Sequence, residues 1–154
     1  MFDIRGNFMG CLGVEGKGDG ELYFPRKVAY NEINQTLVVC DRGGVRSRMQ
    51  IFSWPGARYL RRVDISFVDI VAGLAVSPDG GIVVVDSVKP TVFFISANEA
   101  NGGMSELPKL DYVDYSSFMT SSDMKEPSDI AQWNSLYFNC DFKVRILIFT
   151  FIHC

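Results

Sequence analysis

Three short apolar runs, each ending in an aspartate, recur along this chain of 154 residues. They occupy residues 37–41, 82–86 and 137–141. A strand-like segment containing an alanine precedes each run, and a polar turn followed by a further apolar run comes after it. A unit of several short strands that recurs every few tens of residues is typical of a β-propeller or a solenoid. The recurrence therefore predicts a repeat fold built almost entirely from β-strands.

The spacing of the three aspartates locates an insertion in the repeat. Asp41 and Asp86 lie 45 positions apart, whereas Asp86 and Asp141 lie 55 positions apart. The alanines before the runs shift by matching amounts, so each repeat keeps its internal register. We place the additional residues at 97–124, a stretch rich in asparagine, glycine and serine. Such a composition predicts an exposed excursion from the repeat.

Turn signals and alternation divide each repeat into short strands. In the first complete repeat, strands are predicted near residues 27–30, 36–41, 48–52 and 58–64. In the second repeat, the Pro-Asp-Gly-Gly sequence at 78–81 predicts a tight hairpin, because these residues tolerate the positive φ that such turns need. The β-branched run at 82–86 that follows is expected to be buried on both faces between neighbouring sheets.

Parts of these repeats resemble a known family. Residues 13–29, a glycine-rich loop followed by Phe-Pro-Arg-Lys and a strand, are similar to the inter-blade loop of NHL repeats, and residues 48–52 resemble the third strand of such a repeat. Residues 125–131 and 140–143 resemble the same loop and strand end in a later blade. Among NHL proteins, the resemblance is to the propeller of the tripartite-motif members.

The resemblance implies an all-β, partial NHL-type β-propeller, because such propellers are typically six-bladed and this chain has room for about three four-stranded blades. The propeller is expected to be open and to start and end in the middle of a blade. The predicted boundaries are a blade end at 2–12, a blade at 24–65, a blade at 70–115 with the insertion at 97–124, and an incomplete blade at 127–152. The apolar run at 144–152 departs from the family pattern, which suggests a truncated product or an artificial end.

The cysteines and the single histidine bear on metal binding and on the compartment. Cys40 and Cys140 stand where the second repeat has Val85, so both are predicted to be small buried apolar side chains. No C-x-x-C pair is present and His153 is the single histidine, which excludes a zinc-binding RING finger or B-box from this chain. No export signal or membrane-spanning stretch is recognised, so a cytoplasmic protein without membrane contact is expected.

Signals for a cofactor or for catalysis are weak. Gly16, Gly18 and Gly20 precede a predicted strand, whereas a phosphate-binding loop needs a helix N-terminus directly behind its glycines. No nucleotide or other small-molecule cofactor is therefore expected. Nucleophilic catalysis needs a positioned base or a metal-bound water, and a chain with one histidine offers few candidates. The chain is expected to be non-catalytic.

The recurring aspartates Asp41, Asp86 and Asp141 admit two hypotheses. They are predicted to be structural loop anchors, each accepting hydrogen bonds from the loop that follows it. The alternative is a catalytic role, or a central calcium or zinc site of the kind that some related propeller enzymes have. No residue is assigned as a metal ligand.

Charge is distributed unevenly and suggests a binding face. Residues 1–62 carry ten basic and six acidic side chains, whereas residues 63–154 carry five basic and twelve acidic ones. The loop before the first strand of a blade and the loop after the second strand leave the same edge of the sheet. Six basic residues are therefore predicted to form a partner- or RNA-binding face: Arg26, Lys27, Arg42, Arg46, Lys89 and Lys143.

Two aromatic residues precede Arg26 of this predicted face in the sequence. Tyr23 and Phe24 are candidate stacking partners for unpaired bases, although aromatic residues in such positions are more often part of a core. The alternative to a functional face is an ordinary solvated rim, in which Arg48 pairs with Asp41 inside its own blade.

Two functions from different classes follow from the resemblance. Tripartite-motif NHL proteins are ubiquitin ligases whose propeller recruits protein substrates or adaptors, while a separate RING domain binds the ubiquitin-conjugating enzyme. Other members of the family bind single-stranded RNA and repress messages. The segment at 97–129 holds seven acidic residues and would repel phosphate on its side. Protein partners are therefore favoured, with sequence-selective RNA binding as the alternative.

Overall fold

A computed structural model describes residues 1–99, 110–112, 114–119, 124–134, 136–143 and 145–150. Within these ranges the chain consists of strands, turns and loops, with no helix. The strands are β1 (Val14–Glu15), β2 (Glu21–Leu22), β3 (Lys27–Asn31), β4 (Thr36–Asp41), β5 (Arg48–Ser53), β6 (Tyr59–Val63), β7 (Val71–Val76), β8 (Ile82–Asp86), β9 (Thr91–Ile95), β10 (Asn98–Glu99), β11 (Leu110–Asp111), β12 (Tyr115–Met119), β13 (Pro127–Trp133), β14 (Leu136–Asp141) and β15 (Arg145–Thr150).

The larger strands form three antiparallel sheets that correspond to the predicted blades. Strands β3-β4-β5-β6 form the first blade and β7-β8-β9-β12 the second, each with four strands, and β13-β14-β15 form the third. The sheets do not close into a ring. The prediction of an all-β, open, partial β-propeller with four-stranded blades is confirmed.

The predicted boundaries can be compared with the strands. The range 24–65 contains β3 to β6, and 70–115 contains β7 to β9. The fourth strand of the second blade, β12, begins at the end of that range and lies within the stretch predicted as an insertion, 97–124. The inserted residues thus lie mainly between β9 and β12, and residues 100–109, 113 and 120–123 are outside the described residues. At the predicted blade end, 2–12, the structure has an isolated antiparallel bridge between Phe2 and Phe8.

The third predicted blade, 127–152, contains β13 to β15. Its last two positions, 151 and 152, lie outside the described residues. Paired residues run from Leu136 and Thr150 to Asp141 and Arg145, so β15 is the third strand of this blade.

The blades pack through their first strands, so that β7 lies between β3 and β13. One apolar cluster, which includes Val38, Met49 and Val84, fills the space between the first and second blades. A second cluster, which includes Val83 and Ile130, fills the space between the second and third blades. Every residue of β8 is buried, which confirms the prediction that this strand is covered on both faces.

A glycine permits the closest approach between two blades. A Cβ atom on Gly73 in β7 would lie 2.7 Å from the backbone nitrogen of Ile130 in β13. A separation below 3.0 Å is essentially never seen for a real Cβ atom. The second and third blades therefore meet backbone to backbone at this point, and a side chain on residue 73 would force them apart.

The two cysteines predicted to be buried differ in the structure. Cys40 is fully buried between the first and second blades. Burial and the neighbouring carboxylate of Asp41 raise the pKa of its thiol. Cys140, predicted to be buried by analogy, is exposed, so that prediction was wrong. It occupies the side of its sheet that corresponds to Cys40 and Val85, but no described strand packs on that side of the third blade.

Candidate functional site

Loops from all three blades lie together on one side of the sheets. They are the loops that precede the first strand of each blade and those that join the second strand to the third: residues 23–26 and 42–47, 64–70 and 87–90, and 124–126 and 142–143. Because neighbouring strands are antiparallel, the end of the second strand lies beside the start of the first, as in the pairing of Lys27 with Cys40. We call this side the loop face.

The recurring aspartates hold the loop face in place. In the second blade, the carboxylate of Asp86 accepts backbone N–H groups from Asp69 at 2.9 Å, Ile70 at 3.2 Å and Val88 at 2.9 Å. In the third blade, Asp141 accepts those of Lys125 at 2.7 Å, Glu126 at 2.9 Å and Lys143 at 2.8 Å. In the first blade, Asp41 accepts the N–H of Tyr23 at 2.7 Å.

These bonds differ in part from the predicted ones. Donors were expected in the loop after each aspartate, and Val88 and Lys143 are such donors. The remaining backbone donors come from the loop before the first strand. The residue after each aspartate also donates its N–H back to that loop, as Arg42 does to the carbonyl of Tyr23 at 2.9 Å. Asp86 and Asp141 therefore each join two loops of their blade, whereas the carboxylate of Asp41 bonds to the loop before β3 and to Arg48.

Arg48 adds a further anchor in the first blade. Its guanidinium donates to Asp41 at 2.7 and 2.9 Å and to the carbonyls of Lys17 at 2.6 Å, Gly18 at 3.0 Å and Glu21 at 2.8 Å. The hydrogen bond to Asp41 raises the pKa of Arg48. From the sequence, pairing with Asp41 inside the blade was the alternative to a binding role for Arg48. The structure shows this pairing. The pairing also fixes the glycine-rich loop.

Four of the six basic residues predicted to bind a partner are paired with acids. Lys27 of the first blade lies 3.0 Å from Asp129 of the third. Arg46 and Lys89 lie 4.0 Å and 3.2 Å from the two carboxylate oxygens of Asp69. Lys143 pairs with Glu126, which raises the pKa of the lysine. These four side chains lie on the loop face, where three acids oppose their four positive charges because Arg46 and Lys89 share Asp69.

Arg26 and Arg42 differ from the other four. Both are exposed, and neither forms an ion pair with an acid in the part of the chain that the structure describes. Together with Phe24 and Pro25 they line a shallow cleft of about 290 Å³. The structure therefore brings two unpaired guanidinium groups of the predicted set to one place.

Phe24 lies beside these arginines in an unusual backbone conformation. Its φ is 52° and its side chain is 65% exposed. Positive φ is a genuine outlier for a bulky residue, and such strain persists only where the surroundings enforce it. Here the flanking backbone is held by the bonds from Tyr23 to Asp41, from Arg42 to Tyr23 and from Arg26 to the carbonyl of Cys40 at 2.8 Å. Tyr23 supports the ring edge-on, with the ring centroids 4.7 Å apart.

A second cleft is also lined by Phe24. It has a volume of about 390 Å³ and is lined by Leu12, Gly13, Val14, Glu15, Leu22, Tyr23, Phe24 and Pro25. Most of these side chains are apolar, and Phe24 and Pro25 line both clefts. An exposed aromatic residue thus lines both an apolar cleft and a basic one. Sequence reasoning named Phe24 only as a possible stacking group and missed the apolar cleft, which forms where residues 12–15 lie beside residues 22–25.

Among the described residues, no group of three or more His, Cys, Asp or Glu side chains is arranged to hold a metal ion. In the same residues, no helix has the length and apolar character needed to span a membrane. No protein-family model and no curated protein matches the sequence. The class of this chain is therefore defined by its fold, which is that of a partial β-propeller.

Proposed function

We propose that the loop face is a partner-binding surface, and that this chain is part of an NHL-type propeller that recruits protein substrates or adaptors to a tripartite-motif ubiquitin ligase. The observation that carries the binding role is the exposed ring of Phe24 beside two arginines without an acidic partner. Aromatic residues and arginine are the types most enriched where binding energy is concentrated. The resemblance of residues 13–29 and 48–52 to NHL repeats supports the family.

The charges on the loop face favour a protein partner over RNA. Phosphate binding gains its strength from several lysines or arginines that act together. Lys27, Arg46, Lys89 and Lys143 are paired with three acids of the chain itself, so most of their positive charge is opposed at close range. The apolar cleft beside Phe24 suits an apolar side chain, which proteins offer and the phosphate backbone does not.

RNA binding remains a second candidate because of the same residue, Phe24. An exposed aromatic ring is a platform on which unpaired bases stack, and the nearby Arg26 and Arg42 could contact phosphates. This arrangement would support binding of a short single-stranded segment. A test of the site must therefore offer both kinds of ligand.

Parallel selections from a random peptide library and a random RNA library test the binding role, using the complete 154-residue chain. Two variants are compared with the unaltered chain: Phe24→Ala/Arg26→Ala/Arg42→Ala, and a control, Trp54→Ala/Arg58→Ala. The control removes an exposed aromatic ring and an exposed arginine from the loop between β5 and β6, at the other end of the first blade.

Peptides that bind the unaltered chain and the control, but not the triple variant, are the expected result. RNA ligands with the same dependence would instead establish the second candidate. Ligands that bind all three proteins equally, or no enrichment in either library, would overturn the binding role of this site.

The ligase part of the proposal has a separate test. Transcripts that contain this reading frame and extend beyond it are expected to encode a RING finger and a B-box upstream of the propeller. A longer reading frame without either would contradict recruitment to a tripartite-motif ligase and leave the binding role unaffected.

A further inference from the structure

We infer that the two clefts that share Phe24 and Pro25 together take an extended acidic peptide, with a bulky apolar side chain in the apolar cleft and carboxylates on Arg26 and Arg42. This inference rests on the proposed binding role of the loop face and specifies the chemistry of the partner. Because Phe24 and Pro25 line both clefts, one continuous ligand can occupy both.

The basic cleft is suited to carboxylates. Backbone bonds from Arg26 to Cys40 and from Arg42 to Tyr23 connect the two loops that contribute these arginines, so their backbones are fixed relative to one another. A guanidinium presents paired N–H donors that match the two oxygens of a carboxylate. No acid in the described residues pairs with either arginine, so their charge is available to a ligand.

The apolar cleft is suited to a single bulky side chain. Leu12, Val14 and Leu22 line it together with the ring of Phe24. Val14 and Phe24 are largely exposed, so a bound side chain would remove apolar surface of both from water. A volume of about 390 Å³ at the surface accommodates one such group together with the adjoining peptide backbone.

The negative charge of Glu15 favours one orientation of the bound peptide over the reverse one. Its exposed side chain lines the apolar cleft, and it is the only charged residue among those that line it. A carboxylate of the ligand would be repelled at this end and attracted at the arginine end. An extended peptide advances ~3.3 Å per residue, so side chains two to four positions apart lie ~7 to 13 Å from one another.

The conformation of Phe24 indicates that the site is formed before a ligand arrives. A backbone held at positive φ by hydrogen bonds on both sides does not need to be ordered on binding. Preorganisation of this kind lowers the entropic cost of association. It also fixes the distance between the two clefts, so the spacing between the apolar and acidic residues of the peptide should matter.

Synthetic fluorescent peptides test the inference by anisotropy against the complete chain. The probes are polar octapeptides that carry one leucine and a Glu-Glu pair separated by two, three or four positions, the same peptides with Lys-Lys, and a single-stranded oligouridine. The protein variants are Arg26→Glu/Arg42→Glu, Phe24→Ala and the control Trp54→Ala/Arg58→Ala.

The acidic peptides should bind the unaltered chain and the control, with a preference for one spacing. The charge reversal should weaken their binding by about tenfold or more and favour the lysine peptides instead. Replacement of leucine by serine, or Phe24→Ala, should also weaken binding. Preserved circular dichroism spectra and thermal midpoints would show that the variants are folded.

Different results would contradict the acidic specificity, the protein nature of the partner or the binding role itself. If the library selections give site-dependent peptides that are basic or uncharged, the binding role stands and the acidic specificity is wrong. If the oligouridine binds in a site-dependent way and the acidic peptides do not, the partner is a nucleic acid. If no ligand depends on Phe24, Arg26 and Arg42, both proposals are wrong.

Discussion

The guanidinium of Arg48 forms two hydrogen bonds with the carboxylate of Asp41, with Nε–Oδ1 and Nη2–Oδ2 separations of 2.7 and 2.9 Å. The carboxylate is completely buried and the arginine side chain is 10% exposed. The same carboxylate holds the loop that carries Phe24, through Tyr23. One ion pair thus connects the glycine-rich loop, the second strand of the blade and the proposed binding site.

Arg48→Ala should strongly destabilise the first blade. It leaves the carboxylate of Asp41 buried without its partner and removes the donors to three loop carbonyls. Removing one member of a buried ion pair typically costs about 3–5 kcal/mol of unfolding free energy. Arg58→Ala is the matched control, because Arg58 is exposed, and its effect should lie within about 0.5 kcal/mol. Equal urea midpoints for the two variants would contradict the anchoring role of Arg48.

The sequence predicts the strands of the first two blades well because their signals are local. The aspartate-terminated runs and the Pro-Asp-Gly-Gly hairpin locate β4 and β8 at 36–41 and 82–86, as the structure has them. Local patterns do not specify partners that are distant in the chain. The ion pair between Lys27 and Asp129 joins the first blade to the third, so this ion pair depends on how the blades pack.

The candidate site is predictable only in part for the same reason. Repetition indicates that Arg26 and Arg42 lie on one face, because both flank strands of the same blade. It does not indicate which basic residues form ion pairs. The acidic partners Asp69 and Glu126 lie in the loops before the first strands of their blades, and not beside the basic residues in the sequence. The position of Cys140 in the repeat does not predict its exposure either. Its burial depends on whether another blade packs on its side of the third sheet.

Asp86→Ala should destabilise the second blade. The carboxylate accepts three backbone N–H groups and is completely buried, so its removal leaves donors without an acceptor. Each unsatisfied group costs about 1–3 kcal/mol, and partial hydration of the loops should limit the total to about 2–4 kcal/mol. Asp64→Ala is the control, because Asp64 is exposed while also accepting a backbone N–H, from Ser66 at 2.9 Å. Chemical denaturation would disprove the anchor role if the two substitutions cost the same.

Gly73→Ala should separate the second and third blades. The added methyl group would lie 2.7 Å from the backbone nitrogen of Ile130, and backbone atoms cannot move aside as a side chain can. Overpacking of this kind costs about 1–3 kcal/mol. Gly44→Ala adds the same methyl group where nothing lies within 4 Å, so its effect should be below about 0.5 kcal/mol. A thermal midpoint for Gly73→Ala as high as that of Gly44→Ala would show that the blades do not approach as described.

Tyr112 should make the stability of the chain fall at alkaline pH. Its hydroxyl lies 3.0 Å from the side-chain amide of Asn31 and 3.1 Å from the carbonyl of Gly80, at the junction of the first two blades. Burial raises the pKa of this tyrosine, and the hydrogen bond from Asn31 opposes the rise only in part.

The direction of the pH effect follows from this raised pKa. Between the unfolded pKa, about 10, and the higher folded value, the folded chain holds a proton that the unfolded chain has lost. The stability linked to this proton is complete below about pH 10 and is lost as the pH rises through the folded pKa. Tyr112→Phe cannot lose this proton, so its unfolding free energy should decline less between pH 9 and 11 than that of the unaltered chain. Because Tyr137 and Cys40 also have raised pKa values, the measurement that isolates Tyr112 is the difference between the two urea-derived curves. A difference that stays constant from pH 8 to 11 would mean that Tyr112 is not buried at this junction.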